Sequence, residues 1–109
     1  MENLGKTSTG LEANVAAALS YLGGFVTGII FLLVEKDNRF VRFHAMQSII
    51  VFGGFCVLEV AFSFMPFIER LMPLLGLAAV VLWIVCMVKS YQGEKFKLPL
   101  VGDLAEQKI

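Results

Sequence analysis

Residues 13–34 carry no charged side chain, residues 71–88 carry none, and residues 45–68 carry one, Glu59. Runs of 22, 18 and 24 residues this apolar constrain the chain more than any other feature. A helix needs roughly 20 such residues to cross a hydrocarbon core of about 30 Å. Only helices and closed barrels satisfy their backbone groups in lipid, and no run alternates as a barrel strand does. The chain has 109 residues, 58% of them hydrophobic and 17% charged. A soluble domain is about 45–50% apolar and about 25% charged, and a small one cannot bury such an excess. The reading is an all-α integral membrane protein, a single membrane domain with three transmembrane helices at about 13–34, 45–68 and 71–88. The first is either continuous or broken at Gly23-Gly24. A disulfide scaffold and a nucleic-acid partner are disfavoured, and the lipid bilayer is the expected surroundings.

Orientation follows the Lys and Arg residues. With three full crossings, the 35–44 loop (Lys36, Arg39, Arg42) and the tail (Lys89, Lys95, Lys97, Lys108) share one side, seven basic residues against Lys6 and Arg70. Loop and C-terminus are then cytoplasmic, in a cell inner (cytoplasmic) membrane, with the N-terminus outside. If Gly23-Gly24 splits the first span into two half-helices that dip in and return, the N-terminus joins them. The first span is not expected to be a cleaved signal, since its leader carries Lys6 against Glu2 and Glu12.

Four features invite chemistry. Ala16, Ser20, Gly24 and Gly28 recur every four residues and fall on one face of a continuous helix, the close-packing pattern of membrane helices. That face suits either an oligomer interface or packing within the chain against the small residues Gly53, Gly54, Gly76 and Ala79. Glu59 is the one acid deep in a span, about 21 Å beyond Ala45. It reads either as a proton or cation site facing the bundle or as a protonated acid or a partner of Arg70. In a helix, Phe40, His44, Gln47 and Ser48 share a face, while Arg39, Arg42 and Phe43 share another. The cluster His44–Gln47–Ser48 recognises a partner or seals the bundle entrance, or else the stretch is an interfacial cap that anchors span two at the headgroup layer, where Arg reaches phosphate.

Cys56 and Cys86 stand at different depths, about 16 Å and about 3 Å from the cytoplasmic side, and read as small apolar fillers rather than a disulfide. The tail from Tyr91 to Asp103 is expected on the membrane surface, punctuated by Pro99 and Gly102, with Asp103 capping a turn at 104–107. No phosphate loop, nucleophile constellation, metal-ligand spacing or carboxylate pair is present, so no catalytic residue, cofactor or metal is assigned and the chain is not read as an enzyme.

The stretch Phe40-Val41-Arg42-Phe43-His44-Ala45-Met46-Gln47-Ser48 resembles the signature of small uncharacterised prokaryotic membrane proteins. These are grouped with the Tic-type twenty-kilodalton component of chloroplast protein import. The segment Gly93–Asp103 and the Gly-rich first span are similar to that family as well. The resemblance implies a small helical membrane protein working in a complex, with Arg42, His44 and Gln47 as its defining positions. The plastid component is described with four membrane helices, so a preprotein-conducting role is not carried over. Two functions stand side by side: an interaction or accessory subunit of a membrane complex, bound to copies of itself or to other membrane proteins, and a small oligomeric transporter or proton-linked channel using Glu59.

Overall fold

The computed structural model describes residues 5–98 and 100–108. Five α-helices follow in order: α1 Ala13–Leu22, α2 Phe25–Val34, α3 Arg39–Ser63, α4 Met72–Tyr91 and α5 Val101–Lys108, with a 3₁₀ turn at Glu69–Leu71 before α4. α3 and α4 are long and apolar enough to cross a membrane, whereas α1 and α2 have ten residues each, about 15 Å apiece. Asn38 starts α3 by accepting a hydrogen bond from the Val41 amide at 3.0 Å. Pro66 lies just beyond the end of α3, and Pro73 stands in the first turn of α4, where a missing N–H costs nothing.

The first apolar run does not continue as one helix. Gly24 takes φ 63° and ψ −135°, a conformation essentially reserved for glycine, and the chain reverses there. The reversal shows in what meets at the far ends. Ala13 and Ala16 of α1 pack in one cluster with Phe31 of α2 and Val41. The Ser8 amide donates to both carboxylate oxygens of Glu35, at 2.9 and 2.8 Å, and Asn38 Nδ2 donates to the Lys6 carbonyl at 3.1 Å. The broken form of the first span is therefore the one adopted, in place of a continuous crossing. Residues 6–8 lie on the same side as the 35–38 loop, not opposite it as the seven-to-two charge count placed them. The reason is local: with a left-handed glycine at 24, α1 cannot hand its axis on to α2.

The α1–α2 hairpin wedges against the lower half of α3 and α4. Tyr21, Val51, Phe52, Cys86 and Leu98 form the main core, so the tip reaches about as far as Phe52, midway along α3. Beyond that level α3 and α4 continue as a bare apolar hairpin whose bend exposes Phe64 (81%) and Phe67 (94%). Cys86 fills the core as expected, but Cys56 lies exposed on the bare part, and the two are unbonded.

The tail departs from a loose surface segment. Residues 94–98 run back across α3, and α5 packs on α3. α5 begins at Val101, so Asp103 lies inside its first turn and pairs with Lys97 at 3.4 Å instead of capping the helix. Pro99, assigned to the turn, lies outside the described residues.

The four-residue repeat of small residues is likewise split between two helices. Ala16 and Ser20 are fully buried in α1, Gly24 makes the reversal, and Gly28 brings α2 onto α3. A Cβ at Gly28 would stand 2.8 Å from the Ala45 carbonyl oxygen, whereas one at Gly53 would meet nothing within 4 Å. Gly28→Ala is expected to destabilise the protein by about 1–3 kcal/mol through overpacking against backbone, and Gly53→Ala to leave stability nearly unchanged. Thermal unfolding of the two variants in detergent checks this, and equal midpoints would contradict the close approach.

Candidate functional site

Most of the buried polar side chains gather at the end where the 35–38 loop, the open ends of α1 and α2 and residues 94–98 meet (the wide end), and several tie one element to another. His44, Gln47 and Ser48 are fully buried on the inner face of α3. Tyr21 reaches them from α1, with its hydroxyl 2.7 Å from His44 Nδ1 and 2.9 Å from Gln47 Nε2. His44 Nε2 lies 3.0 Å from the Glu94 carbonyl oxygen, which can only accept. Nε2 therefore carries the proton, Nδ1 accepts, and the Tyr21 hydroxyl donates to it. Gln47 Nε2 donates to both Tyr21 and the Phe96 carbonyl (2.8 Å), while Gln47 Oε1 accepts from the Leu98 amide at 3.1 Å. The network has one consistent set of donors and acceptors, and it runs from the tail through α3 to α1. Phe40 and Phe43 place their rings edge-on around His44, at centroid distances of 4.7 and 5.2 Å. Phe43 is thus buried rather than shared with the headgroup face, and Lys95 lies 5.1 Å over its ring.

A second set of bonds holds the hairpin tip. The Thr27 hydroxyl donates to the Ser20 carbonyl and accepts from the Gly23 amide, both at 2.9 Å. Ser48 Oγ donates to the Gly24 carbonyl at 2.8 Å, and Trp83 Nε1 donates to the Tyr21 carbonyl at 2.6 Å. A helix break leaves backbone groups short of partners; Thr27 supplies them to the Ser20 carbonyl and the Gly23 amide, while Ser48 and Trp83 add a second donor to the Gly24 and Tyr21 carbonyls, which also accept from the Gly28 and Gly24 amides.

A third set closes the loop. Arg42 Nη1 donates to the carbonyls of Leu32 (3.0 Å) and Glu35 (2.7 Å), capping the end of α2. The buried Glu35 carboxylate accepts from the amides of Ser8, Asp37 and Asn38. Burial alone would raise its pKa, but those amides outweigh it and hold the carboxyl below its ordinary value. On the tail, Lys95 and Lys97 grip Glu106 and pull its carboxyl down to about 2. Asn14 Nδ2 joins α1 to the end of α4 through the Tyr91 carbonyl at 3.0 Å.

Arg42, His44, Gln47 and Ser48 thus come together, each bound to backbone or side chains of its own chain. Glu59 stands apart. It is half-buried beside Gly76 on the bare hairpin and makes no ion pair with Arg70. Among the described residues, no group of three or more His, Cys, Asp or Glu side chains is placed to hold a metal ion. Sequence reasoning missed Tyr21, Glu35 and Asn38. An Asn directly before a helix reads as an N-cap, and a tyrosine hydroxyl inside an apolar run needs a partner, so two of the three left a signal.

Residues 7–105 match the magnetosome magnetite crystal formation protein family, MamF/MmsF. The chain belongs to this family. It is 57% identical to a UPF0132 membrane protein of Methanocaldococcus jannaschii over 104 residues, 95% of this chain and 94% of the relative. A UPF0132 membrane protein of Archaeoglobus fulgidus is 58% identical over 100 residues, 91% of this chain and 97% of that one. The magnetosome protein MmsF of Paramagnetospirillum magneticum is 41% identical over 46 residues, 42% of this chain. No solved structure matches at a significant level. The likeness to the Tic-type import component is overturned by these matches. The Arg-Phe-His-Ala-x-Gln stretch that suggested it is, in this MamF/MmsF-like chain, a set of internal ties.

Glu35 gives this end of the protein a pH dependence of defined sign. A carboxyl lowered on folding contributes stability that is complete above its unfolded pKa, near 4.5, and is lost as pH falls through the folded value. The wild-type unfolding midpoint should begin to fall as pH drops from 6 through 4.5. Glu35→Gln should start lower at pH 6, by about 1–3 kcal/mol, and its deficit against wild type should shrink as pH falls below 4.5. Parallel curves would remove Glu35 from the account.

Proposed function

We propose that this small membrane protein works by interaction, as an accessory or scaffolding subunit of a membrane assembly, and carries out no catalysis itself. The observation that carries the reading is how the two ends divide their side chains. At the wide end, the buried polar groups of the motif are all engaged by the chain's own backbone and side chains. At the other end, the α3–α4 hairpin presents an outward apolar surface that includes Val57, Leu74 and Leu77, well over half exposed. Lipid covers such a surface, and so does the surface of another membrane helix, packed through open positions such as Gly53 and Gly54. One relative is named a magnetosome protein, which agrees with work inside a specialised membrane.

With α1 and α2 forming a hairpin, eight of the nine basic residues stand at the wide end, and Arg70 alone at the far bend. That asymmetry supports a cytoplasmic wide end in the cell's inner membrane. The transporter reading has less support. From Gln47 to Glu59 is about 18 Å along α3. Past Ser48 every intervening side chain is apolar or glycine, so the polar network and the lone acid are not joined along this helix.

A photo-crosslinking residue at Val57 or Leu74 should yield protein–protein products in native membranes; lipid adducts alone would contradict an interaction surface there. Vesicles holding the purified protein should pass protons and small cations at the rate of empty vesicles. Flux above that rate, abolished by Glu59→Gln, would favour the channel instead.

A further inference from the structure

Three cations stand together at the end of α2, and among the described residues no anion pairs with them. Lys36, Arg39 and Arg42, with Leu32 and Leu33, line an open cleft of about 520 Å³. None of the three forms an ion pair among the described residues. The acids of the same loop are turned elsewhere: Glu35 takes the amides of Ser8, Asp37 and Asn38, and Asp37 takes the Ser8 hydroxyl at 2.9 Å. Arg42 is anchored by one nitrogen to the Leu32 and Glu35 carbonyls. Its other three N–H donors make no bond within the described chain. A guanidinium fixed in this way is oriented before a ligand arrives, and guanidinium matches the geometry of phosphate.

The cleft also has an apolar side. Leu33 is 69% exposed, and Val26, Ile29 and Ile30 are exposed as well. Spaced three and four residues apart, they form one stripe on the outside of α2, about 10 Å long, leading from the cleft toward the hairpin tip. A free inorganic anion has no use for that stripe. An amphiphile has use for both parts. We propose that Lys36, Arg39 and Arg42 hold the phosphate-bearing headgroup of an acidic membrane lipid, whose hydrocarbon chain lies along Val26, Ile29 and Leu33. The site uses the loop that joins the α1–α2 hairpin to α3, so an occupying lipid braces the hairpin at the headgroup layer. The inference rests on the membrane location of the chain and not on the accessory-subunit reading.

The test is lipid retention by the purified full chain in mild detergent, read by native mass spectrometry. Phosphatidylglycerol and phosphatidylcholine of identical chains are titrated separately. Wild type should retain one phosphatidylglycerol in preference to phosphatidylcholine. Lys36→Ala/Arg39→Ala, which leaves Arg42 on its two carbonyls, should weaken that retention about thirtyfold while the unfolding midpoint in lipid-free detergent stays put. Arg39→Gln alone should give part of the loss, so the proposal stays testable if the double variant folds poorly. Millimolar inorganic phosphate should leave the lipid bound. Equal retention of the two lipids, unchanged retention in both variants, or displacement by phosphate at millimolar concentration would each overturn the site as a lipid site, the last by making it one for a soluble anion.

Discussion

The architecture depends on the satisfaction of backbone groups where the α1–α2 hairpin turns back. In hydrocarbon an unpaired N–H or C=O costs several kcal/mol, so a chain reverses at membrane depth only where protein supplies the partners. Here Thr27 serves the Ser20 carbonyl and the Gly23 amide, Ser48 the Gly24 carbonyl, and Trp83 the Tyr21 carbonyl. Partners come from within the hairpin, from α3 and from α4. Once the turn is held in this way, α1 and α2 reach only the level of Phe52. Everything else follows from that: one wide polar end, one bare apolar hairpin, and residues 6–8 gathered on the same side as the 35–38 loop.

The buried polar network at the wide end is the complement of that turn. Tyr21, two residues before the turn, binds His44 and Gln47, and those two bind the tail at Glu94, Phe96 and Leu98. Hairpin, central helix and tail are therefore one connected unit. Such a network specifies one arrangement only when every member is satisfied, and no buried side-chain nitrogen or oxygen of the described residues lacks a partner. Polar chemistry fixes the shape at one end, and the apolar hairpin is left to meet lipid or other helices.

The apolar runs alone make the fold class legible, because no soluble domain of this length accommodates them. Gly23-Gly24 marks the place where the first run breaks, yet whether it breaks depends on Ser48 and on Trp83, the latter 62 residues from the carbonyl it meets. That is tertiary information, absent from the local pattern. The same limit applies to the motif. Arg42, His44, Gln47 and Ser48 stand out as polar residues entering an apolar helix, but apart from the Tyr21 hydroxyl their partners are backbone carbonyls and amides, which carry no side-chain signature. His44 meets its carbonyl 50 residues away. The small-residue repeat misleads in a definite way: a spacing of four implies one face only while the helix is unbroken, and Gly24 ends that condition. A charge count that assumes a full first crossing fails for the same reason.

The central claim is the reversal at Gly24, and a distance measures it directly. Spin labels at Leu11 and Val34, both exposed, flank the hairpin at its open end. Packed side by side, with helix axes about 8–10 Å apart, the labelled positions should show a narrow distribution below roughly 20 Å in reconstituted membranes. A continuous helix over 13–34 would separate them by about 30 Å or more. A dominant peak at that longer distance would contradict the hairpin and the network built upon it.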